Sequence, residues 1–173
     1  LFRSINDISA LRFDPEMADV LSAHPQVKVI LMHMQGEPQN MQVNPHYDDL
    51  FGEINAFFEE RITYAEKKGI SYDHIYLDPG IGFGKTAEHN FQLLAHLEEF
   101  HRHQLPLVVG VSRKRFIAYL DNSSVEERWG GTLAAGLVAA LKGVDILRVH
   151  NVQAHHQFFQ VLKAINEVSE WKS

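Results

Sequence analysis
The sequence predicts an α/β fold on a parallel sheet, about five βα units long, and three observations carry that prediction. Five short apolar, β-rich runs alternate with segments of helical period along the 173 residues, the pattern of parallel strands joined by right-handed crossovers. The runs lack the polar alternation of a half-solvated strand, as a sheet covered on both faces requires. They recur about every 36 residues, so eight units would need roughly 290, within the usual barrel range. Two architectures satisfy these facts: a doubly wound open sheet, or an incomplete (β/α)8 barrel with about three units missing. The start at Leu1, rather than at Met and nearly inside a strand, supports the second.

Taken in order, the expected strands are Phe2–Ile8, Val27–His33, Ile75–Leu77, Leu107–Val111 and Ile146–Val149. A helix is expected over Glu16–Ser22. The next runs from near Asp48 to Gly69, because Phe51, Ile54, Phe58, Ile62 and Ala65 fall on one stripe at helical spacing. Further helices are expected over Glu88–His103, Thr132–Lys142 and Ala154–Trp171, and Ser112-Arg113-Lys114 reads as the start of another. The small apolar run Ala134–Leu141 suits tight helix packing. The whole chain, 1–173, reads as one domain with a sizeable core.

Composition excludes several classes. A net charge of −6 argues against a generic nucleic-acid surface, so an anionic ligand would need a local cationic cluster. The absence of cysteine removes disulfides, cysteine–zinc sites and thiol nucleophiles, and fits a reducing compartment. No apolar run approaches the ~18 residues a membrane span needs. No signal-peptide pattern opens the chain.

Function points to the carboxyl ends of the strands, where either architecture binds its ligands. Those ends read Asn6-Asp7, Met32-His33, Asp78, Ser112-Arg113-Lys114 and Arg148-Val149-His150. An amide, carboxylates, cations, a hydroxyl and imidazoles therefore meet on one rim. Asp78 opens Asp78-Pro79-Gly80-Ile81-Gly82-Phe83-Gly84-Lys85, whose glycines let backbone approach a ligand closely. Gly84-Lys85-Thr86 is not a nucleotide phosphate loop, because Pro79 stands where that motif needs glycine. The bland alternatives are Asp78 as a cap, Ser112 as a cap beside solvated cations, and Arg148 and His150 as solvated or ion-paired surface groups. Two cations in a first helical turn would oppose the helix dipole, which an anion held by Arg113 and Lys114 would offset. Arg148 and His150 share a strand side by the two-residue period. The eleven histidines show no ligand spacing, so no metal site is expected.

These strings, in this order, resemble dihydropteroate synthase: Ile5-Asn6-Asp7-Ile8, Leu31-Met32-His33-Met34-Gln35-Gly36, Leu77 through Lys85, Gly110-Val111-Ser112-Arg113-Lys114 and Arg148-Val149-His150. The resemblance implies a (β/α)8 TIM barrel of which this chain is strands four to eight. It implies that Asn6 and Asp78 hold the pterin's aminopyrimidinone edge, that Lys114 bonds the pterin, and that Arg148 stacks on the ring and helps bind diphosphate with His150. Ile8, Met32, Gly82 and Phe83 would wall the pocket, with Arg113 near the aminobenzoate. The implied reaction joins 4-aminobenzoate to 6-hydroxymethyl-7,8-dihydropterin diphosphate and releases diphosphate, a step of folate biosynthesis and a sulfonamide target. Mg2+ would be bound by the missing N-terminal part. A cytoplasmic homodimer, without nucleic-acid or membrane partners, is also implied. The sequence departs from the family at Asn151, where Asp is common, and at Arg115, where Ser is an alternative. Other readings are a pterin-binding methyltransferase, whose substrate carries no diphosphate, and a non-catalytic half-barrel.

Overall fold
The computed structural model describes residues 3–169. The expected strand start at Phe2 and helix end at Trp171 lie outside the described residues. Strands β1 (Ser4–Asp7), β2 (Lys28–Met32) and β3 (Ile75–Asp78) form one parallel sheet in that order. Strands β4 (Val108–Val109) and β5 (Ile146–Leu147) form a parallel pair. Leu77 bridges to Leu107, and its N–H donates to the Pro106 carbonyl at 3.0 Å, joining the pair to the sheet. The result is a five-stranded arc in sequence order, an incomplete (β/α)8 barrel. A helix α1 (Met17–Ser22) follows β1, α2 (Leu50–Lys67) follows β2, and α3 (Ala87–Ala95) follows β3. After β4 come α4 (Arg115–Asp121) and α5 (Trp129–Leu141), and α6 (Val152–Ser169) follows β5.

Strand alternation sorts the side chains into two sets. Val29, Leu31, Ile75, Leu77, Leu107, Val109 and Val111 are completely buried and belong to the main core. They meet Ile54, Phe58, Ile62 and Ala65, the stripe that predicted α2. Each large aliphatic side chain buried this way contributes about 1.5–3 kcal/mol. The other set, including Asn6, Ile30, Met32, Tyr76, Asp78, Gly110 and Arg148, falls on the inner side of the arc. Contacts there confirm the assignment: Lys28 Nζ donates to the Tyr76 hydroxyl at 2.5 Å, and Arg148 reaches both Asn6 and Asp78.

Local chemistry sets the helix ends. Asp49 caps α2 by accepting from the Gly52 N–H at 3.0 Å. Thr86 caps α3 in a reciprocal arrangement with His89. Three expectations need correction. Four of the five strands are shorter than their apolar runs, and pairing at β4 and β5 stops after two residues each, whereas β3 runs one residue longer, to Asp78. The single helix expected over Glu88–His103 breaks at His96 (φ −133°, ψ 40°), and Leu97–His103 winds as a 3-10 helix. The tighter winding brings Leu97, Phe100 and His103 onto one buried edge, a period of three that the α pattern conceals. Finally, α5 begins at Trp129, three residues before the expected Thr132. Among the described residues, no helix is long and apolar enough to cross a membrane.

Candidate active site
The inner ends of β1, β3 and β5 come together through Arg148. Its Nη1 donates to Asn6 Oδ1 at 2.5 Å, and its Nη2 lies 3.0 Å from Asp78 Oδ2. Asp78 is wholly buried, and its other oxygen accepts the Gly80 N–H at 2.8 Å. The Arg148 contact to Oδ2 is a charge contact without hydrogen-bond alignment, so that oxygen keeps unused acceptor capacity. Burial pushes the Asp78 carboxyl above its ordinary value, and the Arg148 guanidinium opposes the shift. The close fit depends on Gly110, where a Cβ would stand 2.7 Å from Arg148 Nη2. Met32 pairs with Asp78 in the ladder and is fully buried beside it, while Ile8 is half-buried past the end of β1.

The loop after Asp78 is folded tightly against β2. Gly80 has φ +69°, and a Cβ there would meet the His33 carbonyl oxygen at 1.9 Å, so only glycine fits. Gly82 sits at φ +79°, with its N–H bonded to Asn90 Oδ1 at 2.6 Å. This presents the half-buried Phe83 ring, over which Lys114 Nζ lies at 4.1 Å from the centroid. Burial lowers the Lys114 ammonium, and Asp78 pulls it back up.

Ser112-Arg113-Lys114 departs from the expected helix start, and Ser112 is not the cap that the bland alternative made it. Lys114, not Ser112, is the residue before α4, and it makes no side-chain cap bond. Arg113 is left-handed (φ 58°), so neither cation stands in a first helical turn. The Ser112 hydroxyl is engaged elsewhere, 2.8 Å from His150 Nδ1. The Arg113 N–H donates to Thr132 Oγ1 at 2.9 Å, and its carbonyl accepts from Arg128 at 3.0 Å. Thus Thr132, Arg128 and Ser112 shape this turn, roles that no local pattern announced. Past the end of β5 at Leu147, Arg148 reaches Asp78 and His150 reaches Ser112. Asp7, at the rim in the sequence, instead accepts from Ser9 and Leu11 and shapes its own loop.

A cleft of about 1120 Å³ opens beside Gly82 and Lys114. Lys85, Arg113, Lys114, Arg115 and Arg128 line it, and no acidic residue does. In a chain of net charge −6 that is a concentrated anion-attracting surface. Among the described residues, no three His, Asp or Glu side chains gather as a metal site. They offer no ligand set for the Mg2+ that the resemblance implies, whose ligand that resemblance places outside this chain.

Comparison with known proteins identifies the family. The model of the family described as pterin binding enzyme matches residues 2–150. The chain is 45% identical over 168 residues to the dihydropteroate synthase of Escherichia coli K12, covering 97% of this chain and 59% of that protein. It superposes with TM-score 0.90 on a Yersinia pestis dihydropteroate synthase in a sulfonamide drug complex, at 41% identity, covering 96% of this chain and 60% of the other. A Xanthomonas albilineans dihydropteroate synthase in complex with 7,8-dihydropteroate gives TM-score 0.84 and 41% identity, over 94% of this chain and 59% of that one. The chain therefore spans about three-fifths of the length of these relatives. With the family model matching most of its length and the inner rim built as described, the chain belongs to the pterin-binding enzyme family.

Proposed function
We propose that the protein carrying this chain is a dihydropteroate synthase, joining 6-hydroxymethyl-7,8-dihydropterin diphosphate to 4-aminobenzoate with release of diphosphate. The observation that carries the proposal is the wholly buried Asp78 carboxylate with acceptor capacity left over, framed by Asn6, Arg148 and Lys114. A carboxylate can accept parallel N–H bonds from the guanidine-like edge of a pterin. Asn6 supplies an amide to the same edge, and Lys114 a donor to the ring. Ile8, Met32, Gly82 and Phe83 form the walls, and Arg113 faces the aminobenzoate.

The bond to break joins the pterin's exocyclic methylene to the diphosphate oxygen, and its electron pair leaves with that oxygen. Negative charge grows on the leaving group, which preorganised cations stabilise. Arg148 serves this role, and His150 adds a hydrogen-bond donor beside it. With His150 Nδ1 engaged by Ser112, its Nε2 is the ring nitrogen that meets the anion. The neutral aniline nitrogen then bonds to the cationic methylene and loses a proton, so no strong base is needed. The resemblance would place the ligand of a Mg2+ ion, which would neutralise diphosphate charge, in the part of the family fold outside this chain.

A methyltransferase reading is disfavoured by the cluster of cations, since its substrate carries no diphosphate. The family resemblance supports a homodimer through the late helices. The lack of cysteine supports a cytoplasmic location. A coupled assay of the intact protein should record diphosphate release only when both substrates are present. Release without 4-aminobenzoate dependence would contradict the proposal.

A further inference from the structure
Lys85 is buried, yet it meets two neutral acceptors and no carboxylate at ion-pair distance. Its Nζ lies 2.9 Å from His33 Nδ1 and 3.0 Å from the Phe83 carbonyl. His33 in turn holds the same loop from the β2 side: its N–H donates to the Asp78 carbonyl at 2.9 Å, and its own carbonyl abuts Gly80. Its ring packs edge-on against Phe57 at 4.9 Å, which fixes its orientation. A third tie, from the Tyr47 hydroxyl to the Gly84 carbonyl at 2.8 Å, completes the clamp. Lys85 Nζ also faces the Tyr47 ring, 6.0 Å from its centroid, so its partners are the loop presenting Asp78 and Phe83, the end of β2 against which that loop rests, and the residue that ties Gly84.

A buried amine without a counter-ion costs stability, and an apolar side chain of similar volume would cost less. A residue kept at such cost needs a geometric reason. We propose that Lys85 is a positioning residue: by tying the Phe83 carbonyl to the His33 ring, it sets the shape of the Asp78–Phe83 loop on which the pterin is held. The inference rests on the pterin reading of that loop. Burial lowers the Lys85 amine to about 7, but the tie does not depend on its charge. Even the neutral amine has two N–H bonds, one for each acceptor.

The test uses the intact protein and the fluorescent probe 6-hydroxymethylpterin. Lys85→Met removes both ties and keeps the stem. The expected result is binding weakened 10- to 100-fold, a melting temperature equal to or above that of the wild type, and faster amide exchange at Phe83–Lys85. A purely structural lysine would instead lower the melting temperature and leave the affinity of the folded fraction unchanged, which overturns the proposal. His33→Phe keeps the aromatic packing and removes one acceptor. It should weaken binding in the same direction, and the double variant should be no worse than the worse single one. Should Lys85→Met fail to fold, His33→Phe decides alone, and wild-type affinity in that variant overturns the proposal. If the wild type itself does not bind the probe, the pterin reading falls. If it binds and both variants bind equally well, only the role of Lys85 falls.

Discussion

Arg148 Nη2 lies 3.0 Å from Asp78 Oδ2, while Nη1 of the same guanidinium donates to Asn6. One side chain from the end of β5 therefore spans to the first and third strands. A ligand offering N–H groups to Asp78 meets a carboxylate already charge-balanced, with acceptor capacity still open. This relationship separates binding from stability. Burial raises the Asp78 carboxyl, so the folded state holds its proton more tightly than the unfolded chain, and stability falls as pH rises through that raised value. Asp78→Asn removes the penalty. Its melting temperature at pH 7 should equal or exceed the wild type's, while pterin affinity falls by at least about 100-fold, the worth of two charged hydrogen bonds. Calorimetry together with pterin titration checks both halves.

Gly110 tests the placement of Arg148. A Cβ there would stand 2.7 Å from Nη2 and 3.2 Å from Cζ, and the far end of a side chain can swing aside. Gly110→Ala should therefore fold with a stability change within about 1 kcal/mol. Arg148 would leave Asp78 and Asn6, and kcat for diphosphate release should fall about tenfold or more, roughly 1.4 kcal/mol of barrel-rim organisation. Unchanged turnover would separate Arg148 from the reaction.

Lys114 tests the pterin contact. Lys114→Ala removes a charged donor and the cation over the Phe83 ring. A charged hydrogen bond is worth about 1.5–3 kcal/mol, so pterin affinity should drop about 10- to 150-fold. Fluorescence titration of the intact variant gives the number directly.

Lys85 gives the protein a distinct pH signature. Its amine is lowered to about 7 in the fold, below the ordinary lysine value near 10.4. Between those values the unfolded chain binds the proton and the folded chain does not, so stability rises with pH across that window. The slope contributed is up to about 1.4 kcal/mol per pH unit. Lys85→Met should remove it, leaving the variant relatively more stable than wild type below pH 7 and losing that advantage toward pH 10. Denaturant melts across the range measure the difference.

Much of this arrangement is readable from residue patterns, and the exceptions have physical causes. The stripe through Ile54, Phe58 and Ile62 set α2, and the ends of the apolar runs put Asn6, Met32, Asp78 and Arg148 on one rim. Motif order identified the family. The partner of Ser112 was not legible, because His150 is 38 residues away, a distance no local rule spans. Arg113 entered the left-handed region although nothing in its residue type favours that, held by Thr132 and Arg128 from the start of α5. Lys85 stood in a string first weighed as a phosphate loop. Lysine is rarely buried, so its inward turn toward His33 is visible only in the fold. The break at His96 was hidden because Leu97, Phe100 and His103 also suit an α pattern with one gap.

The most direct test of the pterin site is a crystal structure of the intact protein with 6-hydroxymethyl-7,8-dihydropterin diphosphate. The predicted result is the aminopyrimidinone edge bonded to Asp78 and Asn6, Lys114 on the ring, and the diphosphate at Arg148 and His150. A pterin bound away from Asp78, or a diphosphate distant from both Arg148 and His150, would contradict it.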